Sequence, residues 1–291
     1  MSIPKPRLIR ASAWAAALLI LFGTSSIMNG QPSEASRQTA ERTEGSRSAS
    51  LVAMLSSPPP AGGRLDGEAL TRSVKSQAVK APTAVFASAF SAKPLDLKPD
   101  PAAADWRGAP RVVITQDYTG AAIPGPPTEV RSRWTTDDLY LLYTCPYSEL
   151  NLRPNPTTSA ATPKLWNWDV AEAFIGSDDE RIHLYKEFQV SPQGEWVDLD
   201  IDRGEPPKHD STWRSGFAVS ARIDAAAKVW YGLMRIPFRA IDTRPPEKGR
   251  RLRIGLFRLG GVEPKRTYYA WQPTGGVTFH QPKFFGTLEL R

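Results

Sequence analysis

The 291-residue sequence has one cysteine, Cys145, and three histidines, and both scarcities limit its chemistry. A single cysteine cannot form an intrachain disulfide, even in an exported protein. The histidines, His183, His209 and His280, lack the short spacings of metal-binding motifs. The sequence also has no Gly-x-Ser-x-Gly elbow and no glycine-rich phosphate loop. The common motifs of hydrolases, nucleotide binders and zinc proteins are therefore missing.

Long apolar runs are also missing, and the uncharged stretch at residues 11–23 is shorter than the roughly 20 residues that a membrane-spanning helix needs. It follows three basic residues, which is the layout of a secretory signal, and cleavage could follow Ser25 or Ser26. We therefore predict that residues 1–30 are a signal peptide or N-terminal anchor. The expected location is secreted, periplasmic or at a bacterial cell surface, with membrane contact only through an uncleaved N-terminal segment.

Tryptophan and tyrosine are absent from residues 31–104, where Ala, Ser and Pro make up 34 of 74 residues. Such a segment buries too little apolar surface to offset the entropy of ordering it. We predict a disordered linker over residues 31–104. Two pieces remain open as exceptions, Leu51–Leu55 and Thr83–Phe90, and the second is apolar enough to dock on the domain that follows.

Clustered positive charge is the third absence. Lys and Arg outnumber Asp and Glu by 37 to 30, but the excess is spread along the chain, and residues 105–291 carry 25 basic and 23 acidic residues. Nucleic-acid binding needs basic residues gathered against phosphates. We therefore expect no nucleic-acid partner.

From residue 105 onward, short runs of β-branched and aromatic residues with a period of two alternate with Gly, Pro, Asp and Asn. The predicted strands are residues 111–115, 128–134, 138–145, 170–175, 182–190, 196–201, 217–223, 229–236, 252–259, 267–271 and 285–290. One helical turn is predicted at Pro237–Ile241. The pattern predicts an all-β domain at 105–291, an antiparallel β-sandwich of jelly-roll or immunoglobulin-like type, with residues 139–144 in a central strand.

The stretch Lys164–Ile175 is typical of a sugar-binding strand. Sugars present flat C–H faces and hydroxyl edges, and two tryptophans beside Asp169 and Glu172 supply an aromatic platform and acceptors. On strand alternation, Glu172 shares a face with Val170 and Phe174, while Asp169 points to the other face. Two alternatives stay open, namely that the tryptophans belong to the core and that Glu172 pairs with a buried arginine.

The remaining tryptophans are poorer site candidates. Those at positions 134, 196, 230 and 271 lie in strand-like contexts, so we expect them in the core. Trp213 lies in a turn-rich stretch and could border a ligand pocket.

Five segments, in their order along the chain, resemble the family 9 carbohydrate-binding modules. They are residues 131–140, 165–175, 185–198, 235–238 and 279–290. The resemblance covers most of residues 105–291. It implies a β-sandwich that holds a glucose or cellobiose unit at a chain end between two aromatic rings, often as an accessory to a xylan- or cellulose-degrading enzyme.

The resemblance also implies which residues bind the ligand. They are Trp166, Asp169, Glu172, Gln189, Arg258, Phe279 and His280. Trp166 would be the first stacking ring and Glu172 the hydrogen-bonding carboxylate, with Asp169 holding the turn between them. Phe279 replaces the family's second tryptophan and precedes His280. Gln189 stands where an arginine is expected, and Arg258 could move that cation to another strand.

The same resemblance implies a structural calcium ion in some members. The acidic run Asp178–Glu180 is the candidate here. An acidic hairpin turn is the favoured explanation of the run, because no spaced set of ligands accompanies it.

The predicted function is an exported, non-catalytic protein that binds a gluco- or xylo-oligosaccharide end, as an accessory to polysaccharide breakdown. Three alternatives stay open. A glycosidase could use Glu172 with Asp169 or another acid. A haem-binding electron-transfer sandwich would need axial ligands such as Met234 with His183 or His280. A protein-interaction module could retain the sandwich with a decayed sugar site.

Overall fold

The computed structural model describes residues 84–276 and 278–291, so the predicted signal segment and most of the predicted linker lie outside the described residues. The strands are β1 Val85–Phe90, β2 Arg111–Ile114, β3 Thr128–Trp134, β4 Asp138–Pro146, β5 Val170–Gly176, β6 Leu184–Val190, β7 Trp196–Asp202, β8 Lys208–Asp210, β9 Ala218–Asp224, β10 Val229–Pro237, β11 Arg251–Gly260, β12 Thr267–Ala270 and β13 Gly286–Leu290. The helical elements are α1 Phe238–Ile241 and the 3-10 turns Ala104–Trp106, Leu165–Asn167 and Pro282–Phe284. Among the described residues, no helix is long and apolar enough to cross a membrane.

The all-β prediction is confirmed, and every predicted strand is present with ends shifted by two residues at most. The strands form one curled sheet in the order β8-β7-β6-β5-β11-β13-β1-β3-β4-β10-β9, with β12 beside β11 and β2 beside β3. Two halves of this sheet contribute to one main core. The first half consists of β5, β6, β7, β11 and β13, and the second of β3, β4 and β10. The finer jelly-roll or immunoglobulin-like arrangement stays a prediction.

The sheet is mixed, whereas a purely antiparallel sandwich was expected. β1 joins the two halves by parallel pairing: Val85–Ser88 pairs with β13, and Ala89–Phe90 pairs with β3. A strand that pairs in parallel has no hairpin partner beside it in sequence, so local turn signals do not reveal it.

The ordered domain begins before residue 105, the predicted boundary. Phe86 of β1 is buried in the main core. Leu95 and Trp106 cover a smaller cluster with Tyr140 and Leu142. The composition of residues 31–104 predicted a linker, with Thr83–Phe90 left open as a segment that could dock on the domain. Residues 85–90 of that segment do so, since a few buried apolar side chains are enough to hold it on the sheet.

Strand alternation separates two apolar clusters around β5. Ala171 and Ala173 face the main core between the halves. Val170 and Phe174 face outward into a second cluster. Since Glu172 lies between these two on the outward face, β5 carries core on one side and the candidate site on the other.

The tryptophan and central-strand predictions agree with the observed burial. The indoles at positions 134, 230 and 271 are buried, and Trp196 is half-buried against the main core. Residues 139–143 of β4 are fully buried on both faces, as a central strand requires.

We predict that Phe86→Ala destabilises the domain by about 3–5 kcal/mol, because it removes a fully buried ring from the main core. Urea unfolding followed by tryptophan fluorescence measures the effect. The matched control is Val85→Ala on the same strand, since Val85 is 40% exposed and its truncation should change stability by about 0.5 kcal/mol or less. Equal effects of the two substitutions would show that β1 is not part of the core.

Candidate functional site

A cavity of about 570 Å³ lies on the outward face of β5, β6, β7 and β11. Its floor is formed by strand residues, and its walls by the 3-10 turn before β5 and the loops before β3, β8 and β13. The lining includes Tyr118, Trp166, Glu172, Phe174, Glu187, Gln189, Leu199, Ile201, Arg203, Pro207, Lys208, His209, Leu259, Tyr268, Thr278, Phe279 and His280. Five of the seven predicted ligand-binding residues are therefore brought to one site.

Trp166 supplies the exposed ring of the cavity, with 36% of the residue accessible. Its 3-10 turn is anchored by Leu165, which is fully buried in the cluster below. The guanidinium of Arg266 donates hydrogen bonds to three successive carbonyl oxygens, of Trp166 at 2.6 Å, Asn167 at 2.9 Å and Trp168 at 2.8 Å. Arg266 therefore fixes the backbone that presents the indole.

Phe279 forms a second aromatic wall of the same cavity. Its ring stacks on Phe257 of β11 with centroids 4.3 Å apart and planes 11° from parallel. Tyr118 and Tyr268 approach it at 6.0 and 6.1 Å. Only 8% of Phe279 is exposed, so this ring is held in a packed aromatic group rather than standing free like Trp166.

Three buried polar side chains lie in the floor. Glu172 on β5 is directly opposite Gln189 on β6, and Glu187 is the diagonal neighbour on the same face. The Gln189 side-chain amide donates to Glu187 Oε1. Among the described residues, Glu172 Oε2, Glu187 Oε2 and Gln189 Oε1 are buried and have no hydrogen-bond partner. Buried acceptors of this kind take donor hydrogens from ordered water or from a bound molecule.

The two carboxyl groups share an apolar setting that favours their protonated forms. Burial raises the pKa of Glu172 well above its usual range, and the nearby Glu187 raises it further. Burial raises the pKa of Glu187 to about 7, although the hydrogen bond from Gln189 acts in the opposite direction. Two adjacent buried carboxylates cannot both ionise cheaply, so the pair retains a proton near neutral pH.

His280 lies at the edge of this acidic floor. Its ring stacks on Phe174 at 5.0 Å and its Nδ1 is 2.6 Å from the Tyr185 hydroxyl. Nε2 is 3.9 Å from Glu187 Oε2. Burial, with Arg203 and His209 nearby, lowers the pKa of His280 to about 4. At neutral pH the imidazole is uncharged and does not neutralise Glu187.

Arg258 lies away from the cavity, contrary to its predicted role. It is opposite Ala171 in the register, so its side chain points to the inner face of the sheet, whereas Phe257 is the residue opposite Glu172. Its Nη1 donates to the Thr128 hydroxyl at 2.9 Å, and its guanidinium lies 4.6 Å from the centre of the Tyr269 ring. A shift of one position along a strand reverses the face, and Arg258 therefore does not replace the expected cation beside Gln189.

Asp169 is also buried outside the cavity lining. Its Oδ1 accepts a hydrogen bond from the Gly261 backbone N–H at 2.8 Å, which ties the start of β5 to the end of β11. Burial raises the pKa of Asp169 to about 6. Trp213 lines a separate groove, where the Lys186 ammonium lies 4.9 Å from its ring centre. Neither residue borders the candidate site.

The calcium candidate has the contacts of an acidic turn. Asp178 accepts hydrogen bonds from the backbone N–H groups of Glu180 and Arg181 and pairs with the Arg181 guanidinium at 2.7 Å. The Arg181 N–H groups lower the pKa of Asp178 to about 2. The described residues contain no group of three His, Cys, Asp or Glu that could hold a metal ion. This run does not fit the oxygen shell of calcium, and structural calcium stays a prediction.

These residue positions bear on two of the alternative functions, the haem-binding sandwich and the glycosidase. Met234 is buried in the main core, whereas His280 lies on the other side of the sheet and His183 lies near Asp202, so none of the predicted axial pairs is assembled. For the glycosidase alternative, the acid that lies beside Glu172 is Glu187 and not Asp169. Alternation within β6 could have predicted Glu187, because Tyr185, Glu187 and Gln189 share one face.

Comparison with known proteins gives one family and several related folds. The family described as carbohydrate family 9 binding domain-like matches residues 101–291. A family 9 module from Caldicellulosiruptor kristjanssonii, solved with cellotriose, is 13% identical with a TM-score of 0.52, covering 72% of this chain and 94% of that chain. A Bacteroides uniformis protein, provisionally assigned to carbohydrate binding, is 16% identical with a TM-score of 0.56, covering 71% and 99%. The search of curated proteins found no match.

Burial of Glu187 predicts a pH-dependent stability. The folded chain keeps a proton on this carboxyl up to about pH 7, whereas an exposed carboxyl releases it near 4.5. The stability that this raised pKa contributes is fully present below pH 4.5 and is lost as the pH rises through about 7. Glu187→Gln should therefore reduce the fall in unfolding free energy over this range by about 2 kcal/mol.

Urea unfolding at several pH values measures this slope. Glu180→Gln, which changes an exposed carboxyl, is the matched control and should leave the profile unchanged. A smaller slope should remain in Glu187→Gln, because Glu172, whose pKa burial raises well above its usual range, and Asp169, with a pKa of about 6, act in the same direction. An unaltered profile in Glu187→Gln would refute the linkage.

Proposed function

The chain belongs to the carbohydrate family 9 binding domain-like family, and from this membership and the cavity described above we propose that it binds carbohydrate without transforming it. One observation carries the proposal. A single cavity is lined by five residues that span more than a hundred positions of the chain, namely Trp166, Glu172, Gln189, Phe279 and His280.

In the proposed complex, the C–H face of a sugar ring stacks on the exposed indole of Trp166. Its hydroxyl groups donate to the unpartnered oxygens of Glu172 and Gln189. The packed ring of Phe279 forms the opposing apolar wall. Stacking contributes about 0.5–1.5 kcal/mol per ring beyond area burial, and each hydrogen bond to these uncharged groups about 0.5–1.5 kcal/mol. Micromolar or weaker affinity is expected.

The ligand proposed is the end of a gluco- or xylo-oligosaccharide. The cavity volume of about 570 Å³ is of the size that takes a small ligand and not a long chain along its length. A related module was solved with cellotriose. An accessory role beside a polysaccharide-degrading enzyme is consistent with such a ligand and remains part of the proposal.

We also propose that the protein acts outside the cytoplasm, because the basic start and the uncharged run at residues 11–23 have the layout of an export signal. In a bacterial host, the mature chain should be found in the periplasm or medium and begin after Ser25 or Ser26. N-terminal sequencing of the fractionated protein tests this. An intact Met1 terminus in the cytoplasmic fraction would contradict export.

Trp166→Ala should abolish measurable carbohydrate binding while changing the melting temperature by only a few degrees, because the indole is 36% exposed. Loss of the stacking surface removes affinity, but little core packing is lost. Isothermal calorimetry against glucose, cellobiose, xylobiose and uronic acids measures binding, and thermal unfolding measures stability.

The matched control is Trp168→Ala, two residues away on the same turn, because Trp168 does not line the cavity. It should keep the affinity of the unaltered chain. Unfolding of Trp166→Ala would place the indole in the structural core, and release of reducing sugar by the unaltered chain would show catalysis instead of binding alone.

A further inference from the structure

The acidic pair in the cavity floor lacks a cation. Among the described residues, no Lys or Arg nitrogen lies within 4.0 Å of the Glu172 or Glu187 carboxyl oxygens. The nearest basic group, His280 Nε2 at 3.9 Å from Glu187, is uncharged at neutral pH. Buried carboxylates in proteins are normally paired with a cation. This floor is an exception, and a cation supplied by a ligand would account for it.

The residues that surround Glu172 and Glu187 are apolar and supply no compensating charge. Glu172 is opposite Phe257 on one side, and Glu187 is opposite Phe174 and Leu199 on its two neighbouring strands. These apolar side chains keep water away from the carboxyl groups, which are each 2% exposed. An ammonium group in such a setting forms stronger contacts with carboxylates than a neutral hydroxyl does.

We infer that the Glu172–Glu187 pair selects a sugar carrying a protonated amine, so that the site prefers an amino-sugar end to its neutral counterpart. This inference rests on the proposed function, since it assigns the ligand class of the same cavity. The ammonium would displace the proton that the pair retains near neutral pH and would donate hydrogens to Glu172 Oε2, Glu187 Oε2 and Gln189 Oε1, the three unpartnered acceptors.

Other titratable groups line the cavity or lie near the acidic pair. They are Tyr118, Tyr185, Arg203, Lys208, His209, Arg266, Tyr268 and His280. Arg266 is engaged by backbone carbonyls. Arg203, Lys208 and His209 are exposed at the mouth, so water and salt weaken their fields relative to groups on the buried floor. An acidic sugar would be the ligand only if the positive charge of these rim residues acted on it more strongly than the acidic floor.

Calorimetry on the full chain tests the inference with four disaccharides: cellobiose, the glucosamine disaccharide, its N-acetylated form and a glucuronic-acid disaccharide. At about pH 7 the glucosamine disaccharide should bind about tenfold or more tighter than cellobiose, and the acetylated form should lose that advantage. At about pH 5.5 the advantage should shrink, because Glu187, which is partly ionised at pH 7, is then protonated and the ammonium has to displace this further proton.

Two variants assign the preference to the floor. Glu187→Gln should bring the ratio of the cellobiose and glucosamine-disaccharide dissociation constants close to one. Trp168→Ala, outside the cavity, should leave the ratio unchanged. Equal binding of cellobiose and the glucosamine disaccharide, or tightest binding of the glucuronic-acid disaccharide, overturns the inference while carbohydrate binding stands. No binding of any of the four overturns both.

Discussion

Burial of two neighbouring carboxyl groups without a cation is the constraint on which the candidate site depends. Glu172 and Glu187 lie on adjacent strands with aromatic and aliphatic neighbours. Each of them alone would be an expensive buried acid, and together they favour a shared proton. The domain therefore carries a destabilising feature in its floor, which natural sequences tolerate mainly where function requires it.

The rest of the domain holds this floor rigid. β5 and β6 are buried on both faces over most of their length, so the acids cannot turn toward solvent without disrupting the main core. Gly255 of β11 contributes by leaving room for the Phe257 ring, which a Cβ at that position would meet at 2.6 Å. Phe257 in turn supports Phe279. The floor and one wall are thus packed as a unit, and the Trp166 turn is added from outside.

Features that depend on side-chain alternation and local motifs could be predicted from the sequence. Features that depend on which distant strands pair could be predicted less well. Strand positions and the opposite faces of Asp169 and Glu172 follow from period-two patterning, and both agree with the structure. Arg258 was misplaced because motif order aligns positions only loosely, and a shift of one residue reverses the face. Alternation within β6 places Glu187 on the same face as Gln189, but its proximity to Glu172 also requires knowing that β5 pairs with β6. The segment that forms β1 was identified as apolar enough to dock on the domain but not as a strand, because its pairing partners lie far away in sequence.

The smaller ring at position 279 also has a physical consequence. A free phenylalanine offers less stacking area than a tryptophan, but Phe279 is fixed by parallel stacking on Phe257 and by edge contacts from Tyr118 and Tyr268. A wall that is already ordered loses little side-chain entropy when a ligand arrives. Trp166, by contrast, is ordered mainly through its backbone, by Arg266. In the proposed complex, one wall is therefore preorganised by ring packing and the other by hydrogen bonds beneath an exposed ring. Discrimination between sugars is then left to the polar floor between them.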